Sequence, residues 1–273
     1  VMENSTVWIN GVKLGQRPNG YVSFRYELTP HLKFGKGATN VLAVRADTSA
    51  QPASRWYSGA GIYRHVRLVT TDTVHFEYSG NFIRSGVRLE TVVVLSGLTV
   101  DSTVVNQSSI SRDVIVQLTV IDPDGKPVAT NLTAPQTVAA GQTIPFHPHW
   151  RFIRIPRLWD VEDPNLYRAV LEVRSSESVL DEETFNFGIR DAKFTPEQGF
   201  VLNGKKVMLK GVCLHHDGGA FGAAVPLGVW ERRLAALKRL GCNAIRTSHN
   251  PVAPEFLDLC DRMGFLVMDE FFD

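Results

Sequence analysis

Apolar and polar positions alternate along the first seventy or so residues of the chain. "STVWINGVKLG" alternates and then turns at Asn10-Gly11, which predicts a hairpin. "GYVSFRYEL" alternates again, with Tyr21, Ser23, Arg25 and Glu27 on one face and Val22, Phe24, Tyr26 and Leu28 on the other. "TNVLAVRAD" and "GIYRHVRLV" repeat the pattern and flank the long aromatic segment "TSAQPASRWYSGAG". This predicts an antiparallel sandwich with fewer strands than the roughly eight of a jelly roll. From about Thr71 longer β-branched runs take over, "VRLETVVVLSGLTV" and "RDVIVQLTVID", and turn chemistry follows at Asp122–Gly125. "LYRAVLEVRS" and "EETFNFGIR" add strands, and "HWRFIRIPRLWDVEDPNLY" reads as a long link. That spacing of strands predicts an immunoglobulin-like β-sandwich.

After Asp191 the period changes. "FVLNGKKVMLKGV" is a hairpin around Asn203-Gly204. "VWERRLAALKRLG" sets Trp230, Leu234, Leu237 and Leu240 at helical spacing and stops at Gly241. "CNAIRTS" is a short strand, "PEFLDLCDRMG" a helix opened by Pro254 and closed by Gly264, and "FLVMDE" a further strand. Strand, helix, strand, helix, strand predicts a parallel sheet with helical crossovers.

Composition adds mainly exclusions. The 273 residues carry a formal net charge of +1, with Lys and Arg scattered, so nothing draws the chain electrostatically to nucleic acid or an anionic membrane. No apolar run approaches the ~20 residues of a membrane span. Cys213, Cys242 and Cys260 form no close pair, which argues against a zinc site and predicts three small buried residues. No metal or other cofactor is expected. Sequons occur at Asn4, Asn106 and Asn131.

In a parallel α/β unit the functional residues gather at the carboxyl ends of the strands. One strand end delivers His215, His216 and Asp217; the next delivers Arg246, Ser248, His249 and Asn250; the last delivers Asp269 and Glu270. Neighbouring strands lie about 4.8 Å apart, so all three groups should share one rim. An arginine, imidazoles and carboxylates on one rim suit a polyhydroxylated substrate. Each also has a plainer reading: His215 a loop residue, His249 a turn residue before Asn250-Pro251, Arg246 a structural partner of Asp269 or Glu270. Adjacent residues of a strand point to opposite faces, so Asp269 and Glu270 fit holding the rim better than facing each other as a catalytic pair.

"LKGVCLHHDGG", "NAIRTSHNP" and "LCDRMGFLVMDE" together resemble the start of the catalytic barrel of glycoside hydrolase family 2, the family of β-galactosidases, β-glucuronidases and β-mannosidases. "SRWYSGAGIYRHVRLV" and "VWINGVKLGQRPNGYVSFRYELTPHL" resemble that family's N-terminal sugar-binding jelly roll, and "FGIRDAKF" its approach to the barrel. The resemblance implies a multidomain chain. Residues 1–71 would be the C-terminal part of the jelly roll, 72–188 the immunoglobulin-like β-sandwich, and 189–273 the first βα units of a TIM (β/α)8 barrel. It implies retaining hydrolysis of a β-glycoside oligosaccharide or glycan by two glutamates. In the family these follow later barrel strands, so they are expected beyond residue 273, and these residues alone are expected to lack turnover. His215 and His249 resemble histidines that hydrogen-bond the sugar, Arg246 the arginine that steadies the nucleophile, and Asn250 lies beside them. Where the galactosidases carry an aspartate two residues before the signature tryptophan, this chain has Ser54, followed by Arg55 as a candidate contact to an acidic sugar. A β-galactosidase-like enzyme is the leading reading. The alternatives are β-glucuronidase or β-mannosidase specificity, or a non-catalytic carbohydrate-binding β-sandwich protein. The family's bacterial members occur in the cytoplasm and periplasm, and a homo-oligomer stays open.

Overall fold

The computed structural model describes residues 1–50, 56–89, 94–154, 156–176 and 178–271. Its elements, in chain order, are β1 (Ser5–Ile9), β2 (Val12–Arg17), β3 (Leu42–Arg45), β4 (Val74–Phe76), β5 (Phe82–Leu89), β6 (Val94–Asn106), β7 (Arg112–Ile121), β8 (Pro127–Leu132), β9 (Gln136–Val138) and β10 (Thr143–Phe146). They continue with β11 (His149–Arg154), β12 (Tyr167–Ser175), β13 (Ser178–Phe187), β14 (Ala192–Thr195), β15 (Gly199–Leu202), β16 (Lys205–Lys206) and β17 (Gly211–Leu214). The helix α1 (Leu227–Arg239), strand β18 (Ala244–Thr247), helix α2 (Pro254–Met263) and strand β19 (Leu266–Met268) complete the order. Two compact units result, one of residues 1–67 with 210–273 and one of residues 68–209.

The second unit is a β-sandwich. One sheet gathers β4, β5, β10 and β11 around the long β6, and the other runs β13-β12-β7-β8 with β9 also on β7. Alternation places the core. Val114, Val116, Leu118 and Val120 of β7 and Ala169, Leu171 and Val173 of β12 are buried, and they meet Leu98, Val100 and Val104 of β6. Within the segment expected to be a link, His149–Arg154 instead forms a strand, because it finds an antiparallel partner in β6. Asn106 is buried and saturated: its amide donates to the carbonyls of Ile110 at 2.8 Å and Val138 at 2.9 Å, and its Oδ1 accepts from Ser108. That sequon is therefore closed to modification in the fold.

In the first unit, β1 pairs with β2 and β3. The turn at Asn10 and Gly11 has φ of 50° and 84°, the left-handed pair that a two-residue hairpin demands. The strands expected at 20–28 and 61–69 do not form. Side chains take the carbonyls that a ladder would use: Tyr63 Oη donates to Gly20 O at 2.8 Å and Arg64 Nη1 to Tyr21 O at 2.6 Å. Asn19 Oδ1 accepts from the Tyr21 and Val22 amides at 2.7 and 3.2 Å and turns the chain there.

The remaining part of this unit is the predicted alternation. β17, β18 and β19 are parallel neighbours in that order, with Val212, Ile245 and Val267 in one row and Cys213, Arg246 and Met268 in the next. Trp230 and Leu234 of α1 pack with Ile245 and with Phe256, Leu259 and Cys260 of α2. Leu240 falls just past α1 and is 79% exposed, so it is not part of the helical stripe expected for it. Gly264 ends α2 at φ 70°, a conformation that costs other residues about 1 kcal/mol or more. Of the three cysteines only Cys260 is buried, where desolvation pushes its thiol up to about 12; Cys213 is exposed and Cys242 intermediate. These correct the expectation of three buried cysteines, since Cys242 only partly packs against the helix-covered core and Cys213 lies on the row of Arg246.

The core sets the scale of stability. The exposed Arg67–Glu255 pair, 2.6 Å apart with the arginine 65% exposed, belongs to a class worth about 0–1 kcal/mol. Leu118 and Leu171 are fully buried, and such leucines lose about 2–5 kcal/mol on truncation. Leu118→Ala is therefore expected to lower the urea midpoint of the sandwich unit sharply, and Arg67→Ala to leave the chain's unfolding nearly unchanged.

Candidate functional site

The parallel register decides which side chains meet. Ile245 points into the helix-covered core, so its neighbour Arg246 points to the other side, level with Cys213. The chain then turns at Thr247 and Ser248, both buried, and presents His249 and Asn250. The Ser248–His249 peptide is cis. Past β19, Thr247 Oγ1 donates to Asp269 Oδ1 at 2.7 Å and accepts from the Glu270 amide at 2.9 Å. One hydroxyl thus ties the second strand end to the third.

Arg246 pairs through Nε with Glu270 Oε1. Of the two carboxylates offered by the sequence, it is Glu270 that takes the arginine, and Asp269 is held by Thr247. Glu270 Oε2 lies 3.0 Å from His249 Nδ1. Arg246 Nη1 is 3.6 Å from Cys213 Sγ; that contact first, and Glu270 second, push the guanidinium pKa further up. Arg246 therefore stays a cation and a pure donor.

His215 and His249 stand edge to face with ring centroids 5.5 Å apart. Trp56 lies against both, 5.1 Å from His249 and 6.2 Å from His215. The arrangement has an aromatic wall, two imidazoles and a cation, which suits the apolar faces and hydroxyls of a sugar ring. Sequence reasoning placed His215, Arg246 and His249 on one rim, and the structure brings them together. Arg55 lies outside the described residues.

Asn250 is brought elsewhere. It is buried, its amide donates to Pro251 O at 3.1 Å, and its Oδ1 meets His216 Nδ1 at 3.1 Å. His216 Nε2 meets Ser58 O at 3.2 Å. Asn250 therefore lies buried beneath the rim, where it holds His216. Tyr21 and Tyr63 pack on the His216 ring at 5.3 and 6.1 Å, and Arg64 joins Tyr21 O to Pro251 O. This set, buried at His216, Asn250 and Ser58 and partly buried at the rest, docks the aromatic segment carrying Trp56 onto the strand ends. His216, expected on the shared rim with His215, is instead buried beneath it, and sequence reasoning did not name Trp56 as a site builder. The signal was the doublet His215-His216: neighbours on one extended stretch face opposite ways, so one imidazole goes to the rim and the other inward.

The chain belongs to glycoside hydrolase family 2. The family's domain described as "Glycosyl hydrolases family 2" matches residues 83–190, and the one described as "Glycosyl hydrolases family 2, TIM barrel domain" matches residues 195–272. A β-galactosidase of Bacteroides ovatus is 46% identical over 273 residues, which are 100% of this chain and 31% of that protein. A β-glucuronidase of Bacteroides fragilis is 31% identical over 97% of this chain and 38% of its own length. The crystal structure of a β-glycosidase from Bacteroides vulgatus superposes with a TM-score of 0.86 at 40% identity, over 99% of this chain and 33% of that one. The chain thus spans about a third of the length of these relatives.

Burial makes His216 sensitive to pH. Desolvation is the largest influence and lowers its pKa; the bonds to Ser58 and Asn250 oppose it, Arg64 adds to the lowering, and Asp217 opposes. The unfolded imidazole takes its proton near 6.5, the folded one below that. Between those values the unfolded state binds more protons, so the stability that His216 contributes is complete above about 6.5 and is lost as pH falls through the folded value. Thermal unfolding of the chain is expected to shift down between about pH 7.5 and pH 5.5, with part of that shift absent in His216→Asn. An equal shift in the variant would show that His216 is not its source.

Proposed function

We propose that this chain is part of a retaining β-glycosidase and that Trp56, His215, Arg246 and His249 line the subsite for the sugar whose bond is cleaved. The observation that carries this reading is the convergence of two imidazoles on the Trp56 indole, with the Arg246 guanidinium beside His249. Retaining hydrolysis needs two carboxyl groups about 5–5.5 Å apart across the glycosidic bond. Asp269 and Glu270 are committed to Thr247, Arg246 and His249, so they serve the rim, and the covalent chemistry is assigned to glutamates outside these residues. Arg246 Nη1 and Nη2 supply positive charge for such a nucleophile. The reading also carries the division into a jelly-roll part (1–71), an immunoglobulin-like sandwich (72–188) and barrel units (189–273).

The substrate is a β-linked glycan, with galactosides favoured by the 46% identity to the Bacteroides ovatus enzyme. Glucuronides form the second reading, favoured by the Bacteroides fragilis relative and by a solved Bacteroides uniformis β-glucuronidase with a TM-score of 0.90 at 30% identity.

The test is a panel of chromogenic β-galactoside, β-glucuronide and β-mannoside with the protein expressed from its complete gene. One of them is expected to be hydrolysed, and Arg246→Ala to lower kcat/KM by about 10²–10³-fold, the usual cost of removing one electrostatic stabiliser. The 273 residues alone are expected to give no turnover. Hydrolysis of none of the panel, or full activity in the Arg246 variant, would overturn the reading.

A further inference from the structure

Glu270 is located from both ends. Its backbone amide donates to Thr247 Oγ1 at 2.9 Å, and its two carboxylate oxygens are shared between Arg246 Nε and, at 3.0 Å, His249 Nδ1. His249 Nδ1 also lies 3.5 Å from Arg246 Nη2. These two neighbours make opposite demands. An arginine N–H needs a lone pair on that nitrogen, whereas a carboxylate oxygen needs a proton there. Distance decides between them. An N–H···O separation of 3.0 Å is an ordinary hydrogen bond and 3.5 Å is outside the normal range. A bare lone pair facing a carboxylate at 3.0 Å would also be repulsive.

We infer that Glu270 is a positioning residue of the rim: it holds His249 as the Nδ1–H tautomer and so leaves the Nε2 lone pair as a hydrogen-bond acceptor for a ligand hydroxyl. Among the described residues no group bonds Nε2. The His249 ring lies against Trp56 on one side and His215 on another, so its orientation is fixed as well as its tautomer. The result is a rim with two unlike recognition elements a few ångströms apart. Arg246 only donates, and the Nδ1–H tautomer of His249 only accepts through Nε2. A hydroxyl that bridges them must accept from one and donate to the other, which sets its orientation. The idea rests on the glycosidase reading for the identity of the ligand, and on the geometry alone for the tautomer.

Glu270→Gln separates this role from simple packing. Arg246 Nε–H is always a donor, so the glutamine carbonyl stays with it and the amide NH₂ is turned toward His249 Nδ1. The ring must then accept at Nδ1, and its proton moves to Nε2. The experiment is ¹⁵N labelling of the 273-residue chain and long-range ¹H–¹⁵N correlation of the imidazoles at about pH 9, where histidine is ordinarily neutral. The wild type is expected to show His249 protonated at Nδ1. Glu270→Gln is expected to invert the two nitrogens, with the amide spectrum of the rest of the chain unchanged. A wild-type ring protonated at Nε2 overturns the inference, as does a folded glutamine variant that keeps Nδ1–H. If the variant does not fold, the wild-type tautomer alone decides. The tautomer is read without substrate, so failure to hydrolyse any glycoside would remove the glycosidase reading and leave this one standing.

Discussion

The site depends on the in-register pairing of three short parallel strands. Cys213, Arg246 and Met268 share one row, so the three strand ends stop at one level. Parallel strands pointing the same way must release their loops on one side. A shift of one residue in β18 would turn Arg246 into the helix-covered core and Ile245 out to the rim. Ile245 and Val267, packed against the α1–α2 core, therefore fix the neighbouring row that carries Arg246. Hydrophobic burial sets the register, and the register sets the chemistry.

Hydrogen bonds then refine what the register places. Thr247 is 1% exposed and uses its hydroxyl twice, on Asp269 and on the Glu270 amide. Glu270 uses both oxygens, on Arg246 and His249. Arg246 is 42% exposed on its side chain, so its ion pair contributes modestly to stability and chiefly to geometry. Beneath the rim, His216 does for the aromatic segment what Glu270 does for the strand ends. Both of its nitrogens face oxygen acceptors, Ser58 O and Asn250 Oδ1, and a neutral imidazole has one proton to give. The buried His216 therefore balances desolvation against a second hydrogen bond.

Much of this was legible in the sequence, for identifiable reasons. Period-two runs such as "RDVIVQLTVI" became β7 because its buried side chains alternate strictly, and "PEFLDLCDRMG" became α2 because Pro254 and Gly264 mark its ends. The rim residues His215, Arg246 and His249 were legible because they follow strands of a βα alternation. What failed was nonlocal. "GYVSFRYEL" alternates well, yet Asn19, Tyr63 and Arg64 occupy the local backbone groups that pairing needs. "HWRFIR" lacked a strand signature strong enough to stand against its Pro-rich surroundings, and pairing with β6 made it a strand. Asn250 was expected on the rim as a substrate contact, and the structure buries it against His216 instead; the His215-His216 doublet signals that one imidazole turns inward, but nothing in the spacing says that Asn250 is its partner.

The central claim is that this rim binds one sugar ring through His249 and Arg246 against Trp56. The most direct measurement is a crystal structure of the complete gene product with a bound β-glycoside or sugar-ring inhibitor. The account predicts a sugar hydroxyl about 2.6–3.2 Å from His249 Nε2, within ordinary hydrogen-bond reach, and the ring packed beside the Trp56 indole. A sugar bound elsewhere, with His249 Nε2 and Arg246 facing only water, would contradict it.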